Sequence, residues 1–472
     1  MGIFMASPHP NPPPRWGEGV SLSLFPSSIP VVPDHPCLTG VMRRANFMFV
    51  EFALSYGYRR LTATLEDEHL ESVISPPRFN RVNEEETIVR ALTHPIASRP
   101  LPDFLAGAHR VTVVIPDKTR KGRIAIVLPT ILRYLDDAGI GRDRVRVLFA
   151  NGSHAAQAEE EKASVMGWHN YRSLTVCEHD ARDGTAVHCG TTKFGTPVAL
   201  HPWVAEADRT IALGPIVHHY FAGFGGGPKM LMPGAAGYES IVTNHRRTLT
   251  PEGAFHPFCA DGILDSNPVA EDIADAVRFF PPTFYVGTVH DSVGRIVDAV
   301  AGDILKAHRA GTEKVAALYE VALKDGADLA VAGAGGYPKD INFIQSHKAI
   351  HHASLAVRDG GVILAAAECR DGIGSTTLLT WFGMPLEEMK SKLFEEYTLH
   401  GHTALSLRMK ERRVAILLVS SLPGEVVKSM GMIPVGTVEE GMSVARSILK
   451  NTYKAVILTD GSLSVPRLLH GG

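Results

Sequence analysis

The chain of 472 residues lacks the features that mark secreted, membrane-spanning and nucleic-acid-binding proteins. Its five cysteines are odd in number and contain no C-x-x-C pair, which argues against a disulfide framework and a cysteine zinc site. No apolar run approaches the ~18 residues that a membrane helix requires. The formal net charge of -3 lacks the basic excess typical of nucleic-acid-binding domains. We therefore expect a cytoplasmic protein with reduced thiols, no nucleic-acid partner and no membrane association.

The N-terminal segment also lacks a targeting signal. Residues 1–41 are rich in proline and serine, without the cationic start and apolar core of a secretory signal. Strand-like sequence begins only at Phe49–Gly57. We predict that residues 1–41 are a disordered or misassigned extension, with Met42 or Met48 as the true start.

Glycine and strand-like sequence are abundant instead. A chain with 45% hydrophobic residues and 44 glycines is typical of an α/β protein with a large core and many tight turns. From residue 109 onward, strand-like runs such as Val111–Asp117 and Arg209–Pro215 alternate with helical runs such as Ala307–Ala322. This alternation predicts parallel sheets, and the chain length favours two domains.

We predict two α/β domains with parallel-type sheets and an active site in the cleft between them. An N-terminal domain for catalysis and cofactor tethering is expected over residues 42–315, and a C-terminal domain over residues 320–450. The segment at about 452–472 is a candidate to return to the first domain. Ligands of such sheets bind at the carboxyl ends of strands, so polar side chains just past strand ends are the first candidates for chemistry.

The stretch from His218 to His245 is the densest in such candidates, with three histidines and one lysine around a glycine cluster. Gly225, Gly226 and Gly227 would let the backbone approach a flat or phosphorylated ligand closely, because no Cβ intervenes. Lys229 follows directly and would serve as a phosphate contact or a nucleophile. An isolated glycine loop is more often a simple turn, and this run misses the register of a dinucleotide fingerprint.

Two further motifs follow predicted strands. In DKTR, the Arg120 fork fits a carboxylate or a phosphate, while Asp117 and Thr119 could equally cap the next helix. His154 in NGSH is a candidate general acid or base, although a lone histidine is more often structural. Paired with His219 from another strand end, it would supply the base on each face that inversion of a stereocentre requires.

A last motif lies in a predicted helix of the second domain. Gln345 and Lys348 are three residues apart and therefore share a helical face. Both offer hydrogen-bond donors to an anionic oxygen, although an ordinary polar helix face is the simpler interpretation. We interpret His351 and His352 as bystanders, because no further metal ligand is evident beside them.

Taken in order, these motifs resemble the nickel-pincer lactate racemase family. The resemblance rests on DKTR, NGSH, HYFAGFGGGPK, the NH pair sixteen residues after the lysine, and GGYP followed by Q-S-x-K. It covers the chain from about residue 45 to the end. His218, Pro228 and His347 depart from the lactate-specific pattern and leave the identity of the acid open.

The resemblance implies a nickel-pincer nucleotide, which is a pyridinium-3,5-bisthiocarboxylate mononucleotide carrying nickel. It implies that Lys229 holds this cofactor covalently and that His245 is the metal ligand. The other implied cofactor contacts are Asp117, Thr119, Arg120, Gly225, Gly226 and Gly227. Cofactor biosynthesis proteins are the implied partners for loading.

The implied reaction is racemisation or epimerisation of a small, lactate-like 2-hydroxy acid. Hydride would pass reversibly to the cofactor, with His154 and His219 as alternating acid and base. Arg120, Gln345 and Lys348 would bind the substrate. The enzyme class is thus an isomerase, while the oligomeric state stays open.

Two other functions remain possible from the residues. An NAD-dependent 2-hydroxy acid dehydrogenase shares the substrate chemistry and the two-domain architecture, but no glycine fingerprint with a ribose-binding acid is present. A non-catalytic protein that binds an organic anion or the cofactor would not need the two histidines.

Overall fold

A six-stranded sheet forms the centre of the N-terminal domain. The computed structural model describes residues 31–32, 38–44, 47–120, 122–450 and 452–469. Neighbouring strands are parallel except for the first pair, which is antiparallel. In spatial order the strands are Ile296–Asp303, Thr283–His290, Arg209–Pro215, Val111–Pro116, Val145–Ala150 and Thr175–Glu178.

The strand Val111–Pro116 shows why these residues form an interior sheet. All six side chains are buried, and alternate residues enter hydrophobic cores on opposite faces of the sheet. A parallel strand covered by helices on both faces needs this continuous apolar run. The next helix, Ile124–Asp137, repeats buried residues every three or four positions, which gives it one apolar stripe toward the sheet.

The second six-stranded sheet is parallel throughout and forms the centre of the C-terminal domain. Two parallel-dominated sheets confirm the predicted α/β class. In spatial order the strands are Ile433–Val435, Ala415–Val419, Val357–Ala366, Ala327–Gly333, Ala455–Leu458 and Leu70–Ile74.

The sequence made the C-terminal segment a candidate to return to the first domain, but the segment belongs to the second sheet instead. Strand Ala455–Leu458 lies inside the second sheet, between Ala327–Gly333 and Leu70–Ile74. All four of its residues are fully buried, which only an interior strand position can satisfy. The following strand, Val465–Leu468, pairs in parallel with Glu320–Leu323.

The N-terminal strands also join the second domain. The predicted division, in which residues 42–315 form one domain and residues 320–450 the other, is therefore too simple. Strands Leu38–Arg44, Phe47–Tyr56 and Arg59–Glu66 form an antiparallel sheet. Phe52 and Leu54 share one hydrophobic core with the second sheet. The extension expected over residues 1–41 lies outside the described residues except for the strands at 31–32 and 38–41.

Helices cover both sheets. The three remaining two-stranded pairs are Val31–Val32 with Arg78–Phe79, Val187–Thr191 with Pro197–Leu200, and Val217–His219 with Gly223–Gly225. The α-helices of the described residues are Glu84–Thr93, Leu101–Leu105, Ile124–Asp137, Glu159–Met166, Trp168–Ser173, Pro202–Ala205, Tyr238–Arg246, Pro268–Ala276, Ile304–Tyr319, Phe343–Ala356, Leu386–Glu395, Gly401–Glu411, Gly424–Ser429 and Val438–Leu449. The 3-10 helices are Asp67–His69, Arg142–Arg144, Gly227–Met230, Val277–Phe279 and Leu379–Trp381. None of the helices in these ranges combines the length and the apolar character needed to cross a membrane.

Candidate active site

A cavity of about 180 Å³ lies at the carboxyl edge of the first sheet, where the second domain closes over it. Asp117 follows one strand of this sheet and His154 follows its parallel neighbour. The strand Arg209–Pro215 leads on the same edge to His219. Helices Phe343–Ala356 and Gly401–Glu411 supply the opposite wall. A wider cleft of about 1480 Å³ shares part of this lining.

The cavity collects most of the side chains that the motifs singled out. Ten of the twelve predicted site residues line it, and Thr119 lines the wider cleft instead. The ten are Asp117, Arg120, His154, His219, Gly225, Gly226, Lys229, His245, Gln345 and Lys348.

Two residues of the glycine cluster, Gly226 and Gly227, are also required by the packing of the protein around them. A Cβ on Gly226 would come within 2.5 Å of the Pro215 carbonyl oxygen, and one on Gly227 within 2.3 Å of the His308 ring. Both residues also have positive φ. Glycine is therefore required here by the packing of the protein against itself, and Gly227 does not reach the cavity lining.

Asp117 holds His154 in a defined orientation. Its Oδ1 accepts hydrogen bonds from the Thr119 amide at 2.7 Å and the Thr119 hydroxyl at 2.6 Å, and its Oδ2 bonds His154 Nδ1. Burial opposes the charged carboxylate, but His154 and Arg120 hold the pKa of Asp117 below its usual range. The ionised Asp117 accepts a hydrogen bond from His154 Nδ1–H. The other ring nitrogen of His154, Nε2, then has a free lone pair for the cavity.

His219 has the opposite arrangement. The Ala222 amide donates to its Nδ1 at 3.4 Å, so the neutral ring carries its proton at Nε2. The ring packs edge-on against Phe221, with 4.5 Å between ring centres. Burial, together with the charges of Lys229 and Arg120, lowers the pKa of His219 well below its usual value. The two histidines therefore offer the cavity one proton acceptor and one proton donor.

The Lys229 amine is buried without a hydrogen-bond partner among the described residues. Its Nζ lies 5.3 Å from the centre of the Phe221 ring. Burial and the charges of Arg120 and Lys348 lower the pKa of Lys229 to about 7. Much of the lysine is then a neutral, desolvated amine at neutral pH, which is its nucleophilic form.

His245 lies in the last turn of helix Tyr238–Arg246 and is fixed by Asn244. The Asn244 amide nitrogen donates to the Val269 carbonyl at 3.1 Å and to Asp272 at 2.9 Å, so its Oδ1 faces His245. His245 Nδ1 donates to that oxygen at 3.1 Å. The lone pair of Nε2 is therefore left free, which is the arrangement of a metal-ligating imidazole held by a hydrogen bond at its other nitrogen.

Gln345 and Lys348 lie at the start of helix Phe343–Ala356, which Asn342 caps through the Gln345 amide at 3.0 Å. Lys348 Nζ donates to Gln345 Oε1 at 2.8 Å, which turns the Gln345 amide hydrogens outward. Burial and the charge of Arg120 lower the pKa of Lys348 to about 7. With Arg120 these groups form an anion-binding wall.

Several cavity residues were not predicted from the sequence. Phe221 contacts the rings of His219 and His245, at 4.5 and 5.1 Å, and lies beside Lys229. His400 and His402 come from the TLHGHTAL segment, which carries no strand-end or spacing signal. The Tyr397 hydroxyl bonds His402 Nδ1 at 2.5 Å. The repeated histidines of that segment were the one available signal.

Comparison with known families decides the assignment. The family model for the lactate racemase N-terminal domain matches residues 56–255, and that for the lactate racemase C-terminal domain matches residues 322–465. The lactate racemase of Thermoanaerobacterium thermosaccharolyticum is 31% identical over 419 residues, which are 86% of this chain and 97% of that protein. The chain belongs to the lactate racemase family.

Three further matches agree with this assignment or with the fold. The lactate racemase of Lactiplantibacillus plantarum is 32% identical over 329 residues, covering 69% of this chain and 76% of that protein. The solved structure of the T. thermosaccharolyticum lactate racemase apoprotein aligns with a TM-score of 0.81 at 29% identity, over 88% of this chain and all of the other. A crystal structure of a protein from Thermotoga maritima shares the fold, with a TM-score of 0.61 at 16% identity, over 82% of this chain and all of the other.

Family membership confirms the predicted resemblance and the predicted racemase-type isomerase. Neither the dehydrogenase nor the non-catalytic binding protein is favoured by these matches. The roles of individual side chains rest on the geometry above.

Proposed function

We propose that the protein racemises or epimerises a small 2-hydroxy acid, with lactate as the first substrate to test. The relatives named lactate racemase support this substrate class. The observation that carries the proposal is the pair of histidines on one cavity, His154 with an accepting nitrogen and His219 with a donating one. Inversion of a carbinol centre needs proton-transfer groups on both faces of the substrate.

The anion-binding wall supports a carboxylate substrate. The Arg120 guanidinium offers a planar fork that fits a carboxylate, with Lys348 and the Gln345 amide as further donors. These groups would fix the acid so that the carbinol carbon lies between the histidines. Residues of both domains line the cavity, so a bound acid would displace water from these donors.

Proton transfer follows from the two tautomers. His154 would accept the hydroxyl proton at Nε2, and the Asp117 carboxylate would stabilise the resulting imidazolium. His219 would act as the acid on the other face once it is doubly protonated, a form that the bound carboxylate would favour, and loss of the Nε2 proton to the oxygen would then leave a neutral ring. For the opposite enantiomer the two histidines exchange roles, so each must be able to hold either protonation state.

We further propose that the cofactor of this enzyme is a nickel-pincer nucleotide. When bound, such a group supplies a nickel ion and a ring that accepts and returns hydride. The buried, unpartnered amine of Lys229 fits a covalent tether, and the free Nε2 of His245 fits a nickel ligand.

The donor set also fits a metal that brings its own ligands. Across the described ranges, the single group of three converging metal-ligating side chains is Glu66, Glu68 and His69, which lies outside the cavity lining. A metal at His245 would therefore take its other ligands from the bound group. One imidazole beside soft donors suits square-planar nickel.

The decisive test uses protein produced together with the cofactor biosynthesis proteins. We expect a mass adduct on Lys229, nickel in equal amount to the protein, and interconversion of D- and L-lactate. In deuterium oxide the C2 hydrogen should be retained, because hydride returns internally. The variant Lys229→Met should lose adduct and activity together, whereas the exposed-lysine control Lys306→Met should keep both. Loaded wild-type protein without adduct or nickel would contradict the proposal.

A further inference from the structure

His400 stands where the inner cavity meets the wider cleft. It lines both spaces, and it immediately precedes helix Gly401–Glu411 of the second domain. Its charge interaction with His154 indicates that the two imidazoles are near neighbours. Neither the motif analysis nor the roles proposed above give this histidine a task.

The backbone at His400 is strained. Its φ of 67° lies in the left-handed region, which is unfavourable for a residue with a Cβ relative to glycine. Glycine at this position would adopt the same conformation freely. Strain of this kind persists where a side chain is needed, so the imidazole itself requires an explanation.

Hydrogen bonds fix which nitrogen of His400 carries the proton. Ser375 Oγ accepts from the backbone amides of Thr377 at 3.3 Å and Leu378 at 3.2 Å. Its single hydroxyl hydrogen has two possible acceptors, His400 Nδ1 at 2.9 Å and the Thr377 hydroxyl oxygen at 3.4 Å, and the shorter contact favours His400. The neighbouring Thr377 hydroxyl is already used on the Leu399 carbonyl at 3.1 Å. His400 Nδ1 is therefore an acceptor, and the ring hydrogen is on Nε2.

The Nε2–H of His400 makes no hydrogen bond to the described residues, and the half-buried ring lines both spaces. Burial, followed by the charge of His154, lowers the pKa of His400 to about 4, so the ring is a neutral donor. The surrounding cavity carries Arg120, Lys229 and Lys348, so an anion is the expected occupant. A fixed N–H beside three potential cations matches an anionic oxygen.

We propose that His400 is a ligand-binding residue whose Nε2–H donates a hydrogen bond to an anionic oxygen at the neck between the two spaces. This proposal rests on the proposed function, because that function supplies the two possible sources of the anionic oxygen. These are the substrate carboxylate and the cofactor phosphate. Ser375 acts as a positioning residue that selects the tautomer. The strain at residue 400 is then the cost of placing this donor.

The variant His400→Gly tests the proposal because it removes the donor and relieves the strain together. We expect an unchanged or higher melting temperature, with lactate KM raised about tenfold if the oxygen is the substrate's. If it is the cofactor's, lactate KM stays near wild type while the adduct fraction and the affinity of the apoprotein for inorganic phosphate fall about tenfold. Both results support the proposal and identify the source.

Two further variants separate binding from folding. Lys450→Gly is the matched control, since exposed Lys450 also has a positive φ, 66°, at the end of helix Val438–Leu449. It should raise the melting temperature and leave lactate KM, kcat and cofactor content unchanged. His400→Asn keeps a side chain that tolerates this backbone and can donate, so it should recover part of the lost affinity.

The outcomes distinguish this inference from the proposed function. Titration calorimetry of the apoprotein with lactate and with inorganic phosphate reads out binding without turnover. If wild-type enzyme fails to racemise lactate but His400→Gly still weakens binding of either anion, the inference stands and the proposed substrate fails. If His400→Gly matches wild type in KM, adduct fraction and both titrations, the inference is wrong. A lowered melting temperature with unchanged binding would also overturn it.

Discussion

Two buried aspartates in this molecule each bond to histidine, and only one pair faces the cavity. Asp117 is 2% exposed and bonds His154, while Asp261 is 1% exposed and bonds both His351 and His352, at 2.7 and 3.4 Å. In both cases histidines beside the carboxylate hold the pKa of the aspartate below its usual range despite burial. The local chemistry of the two pairs is thus nearly the same.

The pairs differ in the second nitrogen of the imidazole. The His154 side chain is 33% exposed and lines the cavity, whereas neither histidine of Asp261 does. His352 spends its Nδ1 on the Gly461 carbonyl at 2.6 Å, and His351 Nδ1 is buried without a hydrogen-bond partner among the described residues. A carboxylate–histidine pair is thus suited to proton transfer when its far nitrogen is open to a ligand. The Asp261 pair instead joins a loop of the first domain to helix Phe343–Ala356 of the second.

The largest expected effect comes from removing the charge of the cavity pair. Asp117→Asn keeps the shape but cannot stabilise a protonated His154, so we expect kcat to fall about 100-fold. Racemisation of lactate by loaded enzyme measures this. Asp261→Asn is the matched control and should keep kcat within about twofold, given the absence of Asp261 from the cavity lining. A loss of kcat in the control with none in Asp117→Asn would reverse the comparison.

A smaller effect is expected beside the same pair. Arg120→Lys keeps the positive charge near Asp117 but loses the planar fork, so we expect lactate KM to rise about tenfold with a smaller change in kcat. Lys118→Arg, in the same loop but paired with Glu161 on the surface, should leave both constants unchanged. Equal KM values for Arg120→Lys and wild type would show that the planar fork of Arg120 does not bind the substrate.

Short-range sequence signals predicted the parts of the fold that depend on local order. Strand Arg209–Pro215 has the predicted bounds. The helix predicted over Ala307–Ala322 begins earlier, at Ile304, because Asp303 caps it, and it ends at Tyr319, where strand Glu320–Leu323 begins. Strand ends also predicted where Asp117 and His154 lie. Parallel register then brings them together, which is why a linear reading located much of the cavity.

Long-range pairing explains what the sequence could not predict. The insertion of Ala455–Leu458 beside Leu70–Ile74 joins residues almost 400 positions apart, and an apolar run does not state its neighbours. His400 and Asp261 are similar cases, since their partners come from distant segments. His351 and His352 were interpreted as bystanders because their partner, Asp261, lies some 90 residues away in the sequence.

The smallest effect on the reaction, and the clearest on stability, is expected at the second pair. Asp261→Asn should lower the free energy of unfolding at pH 7 by about 2 kcal/mol, because a buried charge-assisted hydrogen bond is weakened. Chemical denaturation of the apoprotein measures this. The folded pKa of Asp261 is lowered, so its stabilisation is present above the unfolded value of about 4 and is lost as the pH falls through the folded one.

The difference in unfolding free energy between wild type and Asp261→Asn should therefore persist from pH 7 down to about pH 4 and shrink only as the pH falls further. His351, Lys348, Lys410 and His218 also lie within electrostatic reach of Asp261. The comparison therefore uses the difference between the two proteins and not the wild-type curve alone. A difference in unfolding free energy that stays constant with pH would show that Asp261 stabilises the fold through its shape and not through its charge. A difference that shrinks, with kcat preserved, would establish the second pair as an electrostatic link between domains.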